Sequence, residues 1–183
     1  MAAQAVRVLG IDPDLHHAGV ALVDDGKKLV AVRCPIVSTN FKGAEAVVEM
    51  ARSMELVLTD LFQTYGEPNT VIVEGQDSYL GSKVKPLDLL HLALAAGVAI
   101  GIVRACWSRP RIECPKPVTW KGSVPKHIHQ KRILRSVGIA YVPQETPTRI
   151  LKLPEVDGMA QINKRHLIHV IDAMGLAVWG SSL

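Results

Sequence analysis

GIDPDLHHAGVALV, residues 10–23, places a single carboxylate, Asp12, where an apolar run ends and the chain turns back. Val6, Val8, Leu9, Gly10 and Ile11 lead into it, broken only by Arg7, and Gly19 opens a second apolar run. An apolar run, a short turn and a returning apolar run make a strand-turn-strand unit with an acid at its mouth. Such an acid either caps the turn or joins other groups in chemistry. Its partners must come from the rest of the chain.

Outward from that unit, three strands are predicted in succession: Val6–Ile11, Ala18–Asp24 and Leu29–Val37, the last two joined by a turn at Asp25-Gly26. Residues 42–64 read as a helix, with Ala44, Val47, Ala51, Met54, Leu58 and Leu61 on one face, and Gly66, Pro68 and Asn69 end it. Thr70–Glu74 (TVIVE) is a short buried strand that again ends in an acid. Residues 86–106 form a helix apolar on nearly all sides and therefore expected at the centre. Its Gly97 and Gly101 would admit another backbone, inside the subunit or across a dimer. A short strand at Arg111–Cys114 precedes a Pro/Lys-rich turn and a basic helix from Lys126 to Val137. An irregular loop is expected over 143–165, with a last amphipathic helix from about 164 to 180. With neither repeat nor linker, this order predicts one α/β domain over residues 1–183, a mixed sheet flanked by helices, with 1–5 flexible.

Composition narrows the class. The chain is 183 residues long, 48% hydrophobic and only 4% aromatic, so Val, Leu, Ile and Ala must build the interior. Three cysteines (Cys34, Cys106 and Cys114) have no metal-ligand spacing and read as reduced, mostly buried thiols. MAAQAVRVLG lacks the features of a secretion signal, and the most apolar stretch, Leu92 to Val103, is 12 residues long. The expectation is a soluble intracellular protein without a membrane partner. Between Arg104 and Arg135, nine Lys or Arg residues face one acid, Glu113, leaving 12 basic and 16 acidic residues elsewhere. A cationic segment on an acidic body is the footprint of a phosphate-backbone binder, or else a solvated basic face.

Glu74 ends an apolar strand just as Asp12 does, so two adjacent strands could present carboxylates at one sheet edge. On the last helix His169 and Asp172 are three apart and share a face, surrounded by Leu167, Ile168, Val170, Ile171, Met174 and Leu176. A charged Asp172 among those side chains is costly unless paired or bound to a metal. Singly, each residue has another use: Asp12 caps a turn, Glu74 pairs with a base, His169 is a satisfied core histidine. Together, Asp12, Glu74, His169 and Asp172 make a hard-ligand set suited to Mg²⁺ or Mn²⁺. Two such ions about 4 Å apart would serve phosphodiester hydrolysis.

These motifs resemble the RuvC-type Holliday-junction resolvases of the ribonuclease H-like superfamily. The likeness rests on GIDP with Gly19-Val20-Ala21, on VEG at 73–75 and on HVIDAMGLA at 169–177, and it covers about residues 6–180. It implies a ribonuclease H-like fold with a mixed five-stranded sheet. It also implies a homodimeric crossover junction endodeoxyribonuclease with two Mg²⁺ per site, Mn²⁺ substituting. Each subunit would nick one strand of a four-way DNA junction, leaving 5′-phosphate and 3′-hydroxyl ends. The location implied is a bacterial cytoplasm, a phage host's cytoplasm or an organellar matrix.

Residue by residue, Asp12, Glu74, His169 and Asp172 become the catalytic and metal-binding set. In TWKGSVPKHIHQKR, Lys121 matches the family's first catalytic lysine, and Lys126 or Lys131 the second. Lys116, Lys121, Lys126, Lys131 and Arg132 would contact DNA, and Tyr79 would stack on bases. Trp120 reads as a core or turn anchor. The chain departs from the family at Asp14, where glycine is usual, and at His16-His17. It departs again in the long loop that supplies Asp157, Lys164, Arg165 and His166, the last a competing ligand or a DNA contact. These departures suggest a divergent viral or mobile-element member. A nuclease for flaps, forks or hybrid duplexes and a non-catalytic branched-DNA-binding protein are the alternatives. A sugar-kinase/actin-like ATPase ranks last, because the chain is too short for two such domains.

Overall fold

The β-hairpin at the start of the chain is the middle of the sheet. The computed structural model describes residues 5–76, 86–139, 156–159, 162, 163 and 165–183. Strand β1 (Arg7–Asp12) pairs antiparallel with β2 (Gly19–Asp24), Asp12 opposite Gly19, and β2 pairs antiparallel with β3 (Lys28–Arg33). On its other side β1 runs parallel to β4 (Thr70–Val73), which runs parallel to β5 (Arg111–Glu113). The order is β3-β2-β1-β4-β5, the five-stranded mixed sheet expected. The third strand stops at Arg33 rather than Val37. Pro35 has no N–H to continue the ladder, and beyond it only an isolated bridge, His17 to Ile36, keeps the edge paired.

Alternation along the strands divides the core in two. Leu9, Ile11, Val20, Leu22, Val71 and Val73 face helix α1 (Gly43–Tyr65). Val8, Ala21, Val23, Val32 and Ile72 face the last helix, α5 (Leu167–Gly180). Between them in sequence lie α2 (Pro86–Cys106), the one-turn α3 (Pro117–Lys121) and α4 (Lys126–Ser136). In α1 the buried stripe runs Ala46, Met50, Met54, Leu58 and Leu61. The expected Ala44, Val47 and Ala51 fall off it, because the stripe follows a four-residue row inclined to the helix axis.

The two apolar helices differ in placement. α5 lies so close to the sheet that a Cβ at Gly10 would sit 2.0 Å from the Ala173 carbonyl oxygen, and one at Gly19 2.1 Å from that of His169. α2, expected at the centre, lies beside α1 and against β4 on one face and is open to solvent on the other. Ala95, Ala96, Ala99 and Val103 are buried there, whereas Leu87, Leu90 and Leu94 are 59%, 55% and 43% exposed. Nothing lies within 4 Å of a Cβ placed at Gly97 or Gly101, so neither serves packing within the described residues. α2 has the bounds expected from sequence, and although its most apolar stretch is short, the whole helix is long and apolar enough, by length and composition alone, to cross a membrane.

Part of the expected irregular loop is ordered pairing. Asp157 bridges Ala31, accepts from the Val32 N–H at 2.9 Å, and its carboxylate holds Arg33 at 2.6 Å and the Tyr65 hydroxyl at 2.9 Å. It straps the open β3 edge, which would otherwise present unpaired backbone groups. The cysteines are free as expected, but none is fully buried: Cys34 and Cys106 are half-buried and Cys114 is exposed.

Candidate active site

Strand parity brings the two strand-end acids together. Val8 and Ile72 face α5, and a step of two along each strand carries that face to Asp12 and Glu74. The parallel ladder pairs Ile11 with Val73, and the Glu74 N–H donates to the Ile11 carbonyl at 2.9 Å, so the two acids end neighbouring strands side by side. α5 then delivers His169 and Asp172 from one face. Gly19 explains how: it stands opposite Asp12 in the hairpin, and its missing side chain admits the His169 backbone. The imidazole Nδ1 reaches Asp12 Oδ2 at 3.0 Å.

Asp12, Glu74 and Asp172 are 7%, 8% and 2% exposed, and they are the buried polar or charged residues among those described. All three line one pocket, together with Pro13, Asp14, Gln76, Leu92, Lys121, Lys126 and His169. Lys121 Nζ lies 2.8 Å from Glu74 Oε1 and 3.6 Å from Asp172 Oδ2, and Lys126 Nζ lies 2.8 Å from Asp172 Oδ2. Gln130 Nε2 donates to Asp172 Oδ1 at 3.3 Å, and Trp120 Nε1 to Glu74 Oε1 at 3.1 Å. The four expected ligands thus share a pocket without converging on one point. Among the described residues no three His, Cys, Asp or Glu side chains are grouped to hold a metal. The two ammoniums stand at the acids instead. Of the two, Lys126 reaches in from solvent, its side chain 54% exposed against 20% for Lys121.

Three sheltered carboxylates in one pocket demand positive charge. Burial drives the Asp12 carboxyl up to about 7, with repulsion from Glu74 and Asp172 adding to it and the His169 hydrogen bond opposing it. The hydrogen bond to Asp12 raises His169 in turn, against the effect of burial. Burial pulls Lys121 down, but Asp172 and Glu74 outweigh it and hold the ammonium above its ordinary value. As a donor set, three carboxylates and an imidazole fit a hard divalent cation, which would supply the charge the lysines now provide.

The other expected site residues are placed more loosely. Tyr79 and Lys164 lie outside the described residues. Lys116 is exposed just before α3, and Lys131 and Arg132 lie on α4, none of them lining the pocket. Asp157 belongs to the sheet edge. His166 stacks on His17 with ring centroids 4.4 Å apart, and it is His169 that pairs with Asp12. Asp14 now has a local role: its Oδ1 accepts from the backbone N–H of His16 at 2.8 Å and of His17 at 2.9 Å, fixing the turn. Sequence reasoning missed Trp120 and Gln130 as partners of the acids. Both contacts are long-range, and no local pattern announces them.

No family model matches the chain. The crossover junction endodeoxyribonuclease RuvC of Gluconacetobacter diazotrophicus is 35% identical over 96 residues, 52% of this chain and 53% of that protein. The match therefore spans about half the length of that curated relative. Among solved structures, Thermus thermophilus RuvC in complex with a Holliday junction substrate superposes with a TM-score of 0.65 at 16% identity, covering 95% of this chain and 91% of that one. A second Thermus thermophilus RuvC structure gives 0.59, also at 16%, covering 94% and 92%. The sheet order and helix placement are thus the ribonuclease H-like arrangement of RuvC. This chain is similar in sequence to a RuvC over half its length and shares the RuvC fold over nearly all of it.

Proposed function

We propose that this chain is a single-domain, metal-dependent endonuclease that resolves four-way DNA junctions. One observation carries the proposal: the three buried acids among the described residues line a single pocket, with Lys121, Lys126 and His169 beside them. Asp12, Glu74, Asp172 and His169 are the residues that would hold Mg²⁺, two ions per site, with Mn²⁺ substituting. When bound, such ions activate a water and stabilise the leaving oxygen. The water oxygen attacks phosphorus, the bond to the 3′ oxygen breaks, and that oxygen takes a proton, leaving a 5′-phosphate and a 3′-hydroxyl.

Lys121 is already at the acids and can meet a non-bridging phosphate oxygen as charge builds there. His169 holds Asp12 in orientation through its Nδ1 contact. Lys116, Lys126, Lys131 and Arg132 track the backbone electrostatically, and Tyr79 stacks on bases near the crossover. The exposed face of α2, with Leu87, Leu90 and Leu94, is the proposed dimer contact. A two-fold dimer matches a two-fold junction, so paired nicks follow from symmetry. We place the protein in the cytoplasm, α2 being covered by a second copy and not by lipid.

The test is a panel of a four-way junction, a flap, a fork and an RNA–DNA hybrid at equal concentration, with Mg²⁺ or EDTA. The junction should be nicked at paired positions in Mg²⁺ only. Preferential cutting of flaps, forks or hybrids would make this a broader nuclease. Junction binding that never leads to a nick would leave a branched-DNA-binding protein.

A further inference from the structure

Trp120 points a hydrogen-bond donor at a buried acid. Its Nε1 donates to Glu74 Oε1 at 3.1 Å, and the ring is 7% exposed, so water does not compete for the bond. The same oxygen faces Lys121 Nζ at 2.8 Å. Two donors on one oxygen fix the rotation of the carboxylate about its Cγ–Cδ bond.

The ring is held on three sides. Gly175 of α5 makes room for it, since a Cβ there would lie 2.7 Å from Trp120 Cζ3. His129 packs against it at 66° with centroids 5.0 Å apart, and Lys121 Nζ stands 4.6 Å from the ring centroid. Pro117 opens the one-turn helix α3, and Gly122, at φ 64°, closes it, so Trp120 and Lys121 reach Glu74 as adjacent residues of one rigid turn. A buried indole that merely needed a partner is the simpler account, but this fold does not insist on one. Trp107 is 3% exposed, and its Nε1 has no hydrogen-bond partner among the described residues.

We infer that Trp120 is a positioning residue, orienting the Glu74 carboxylate for divalent-metal binding; this rests on Glu74 being a ligand, as proposed above. Trp120→Phe keeps the ring and removes the donor. Calorimetric titration of Mn²⁺ into wild type, Trp120→Phe, Glu74→Gln and the double variant tests it. Trp120→Phe should bind Mn²⁺ about tenfold more weakly, and the double variant no more weakly than Glu74→Gln alone. Unchanged affinity in Trp120→Phe, or a loss that adds in full to that of Glu74→Gln, overturns the inference.

A second measurement does not depend on the Trp120 variant folding. The chain has three tryptophans, so wild type shows three indole ¹⁵N–¹H resonances. The Trp120 signal should move both on Glu74→Gln and on Mg²⁺ addition, and a signal that stays put overturns the inference. A wild type that binds no Mn²⁺ and cuts no junction brings down the nuclease proposal, and the inference with it. A wild type that binds and cuts, beside a Trp120→Phe equal to it, removes the inference alone.

Discussion

Helices α5 and α2 are both apolar and both long, yet they end in opposite settings. α5 is buried along most of its length and carries Asp172 at 2% exposure, whereas α2 buries an alanine face and leaves three leucines in contact with solvent. Glycine accounts for the difference. Gly10 and Gly19 on the sheet are occupied by the α5 backbone, and Gly97 and Gly101 on α2 are occupied by nothing within 4 Å. A helix is drawn into a core by what faces it as much as by its own side chains. The buried helix carries part of the site, and the exposed one carries the surface proposed for a second copy.

The comparison is broken most severely by filling the α5 side. Gly19→Ala sets a methyl against the His169 carbonyl and should cost about 3 kcal/mol, a fall of roughly 10 °C in Tm by thermal unfolding. Because the displaced residue is His169, activity should fall further than stability requires. The next largest effect is on α2: Leu90→Glu with Leu94→Glu should weaken dimerisation at least about tenfold in sedimentation, with the fold intact by circular dichroism. An unfolded variant would mean that these leucines are core after all.

The third effect is on pH. Asp12 titrates near 7 instead of 3.8, so as pH falls through about 7 it takes up a proton that a metal must displace. Divalent affinity should therefore fall by up to about tenfold per unit below pH 7 and level off above it, as calorimetry can show. His169, whose charged form Asp12 favours, steepens the fall in the same direction. The smallest effect is Gly97→Ala in the Leu90→Glu, Leu94→Glu background, where an open helical position should gain about 0.5–1 kcal/mol. A loss there would show that α2 is packed by something within its own subunit.

What could be read from sequence was local and periodic. Asp12 and Glu74 each end an apolar run, and strand parity puts them on one face; His169 and Asp172 are three apart on a helix. Those rules are short-range and they held, as did the mixed sheet. The setting of α2 could not be read, because an apolar surface that meets the core and one that awaits a partner have the same composition. The end of β3 was missed because apolar residues resume at Ile36 and Val37, beyond the Pro35 that stops the ladder. Trp120 reads as a core or turn anchor in sequence, since its partner is 46 residues away. Asp14 looked foreign to the site until its carboxylate was seen holding the His16 and His17 backbone.

The central claim is that the buried acids of one pocket perform metal-dependent cleavage. The measurement that meets it head-on compares Asp12→Asn and Asp172→Asn with wild type on a synthetic four-way junction, scoring binding by gel shift in EDTA and nicking in Mg²⁺. The account predicts binding within about threefold of wild type and nicking reduced at least about a thousandfold in both variants. Either variant nicking the junction in Mg²⁺ at close to the wild-type rate would contradict it.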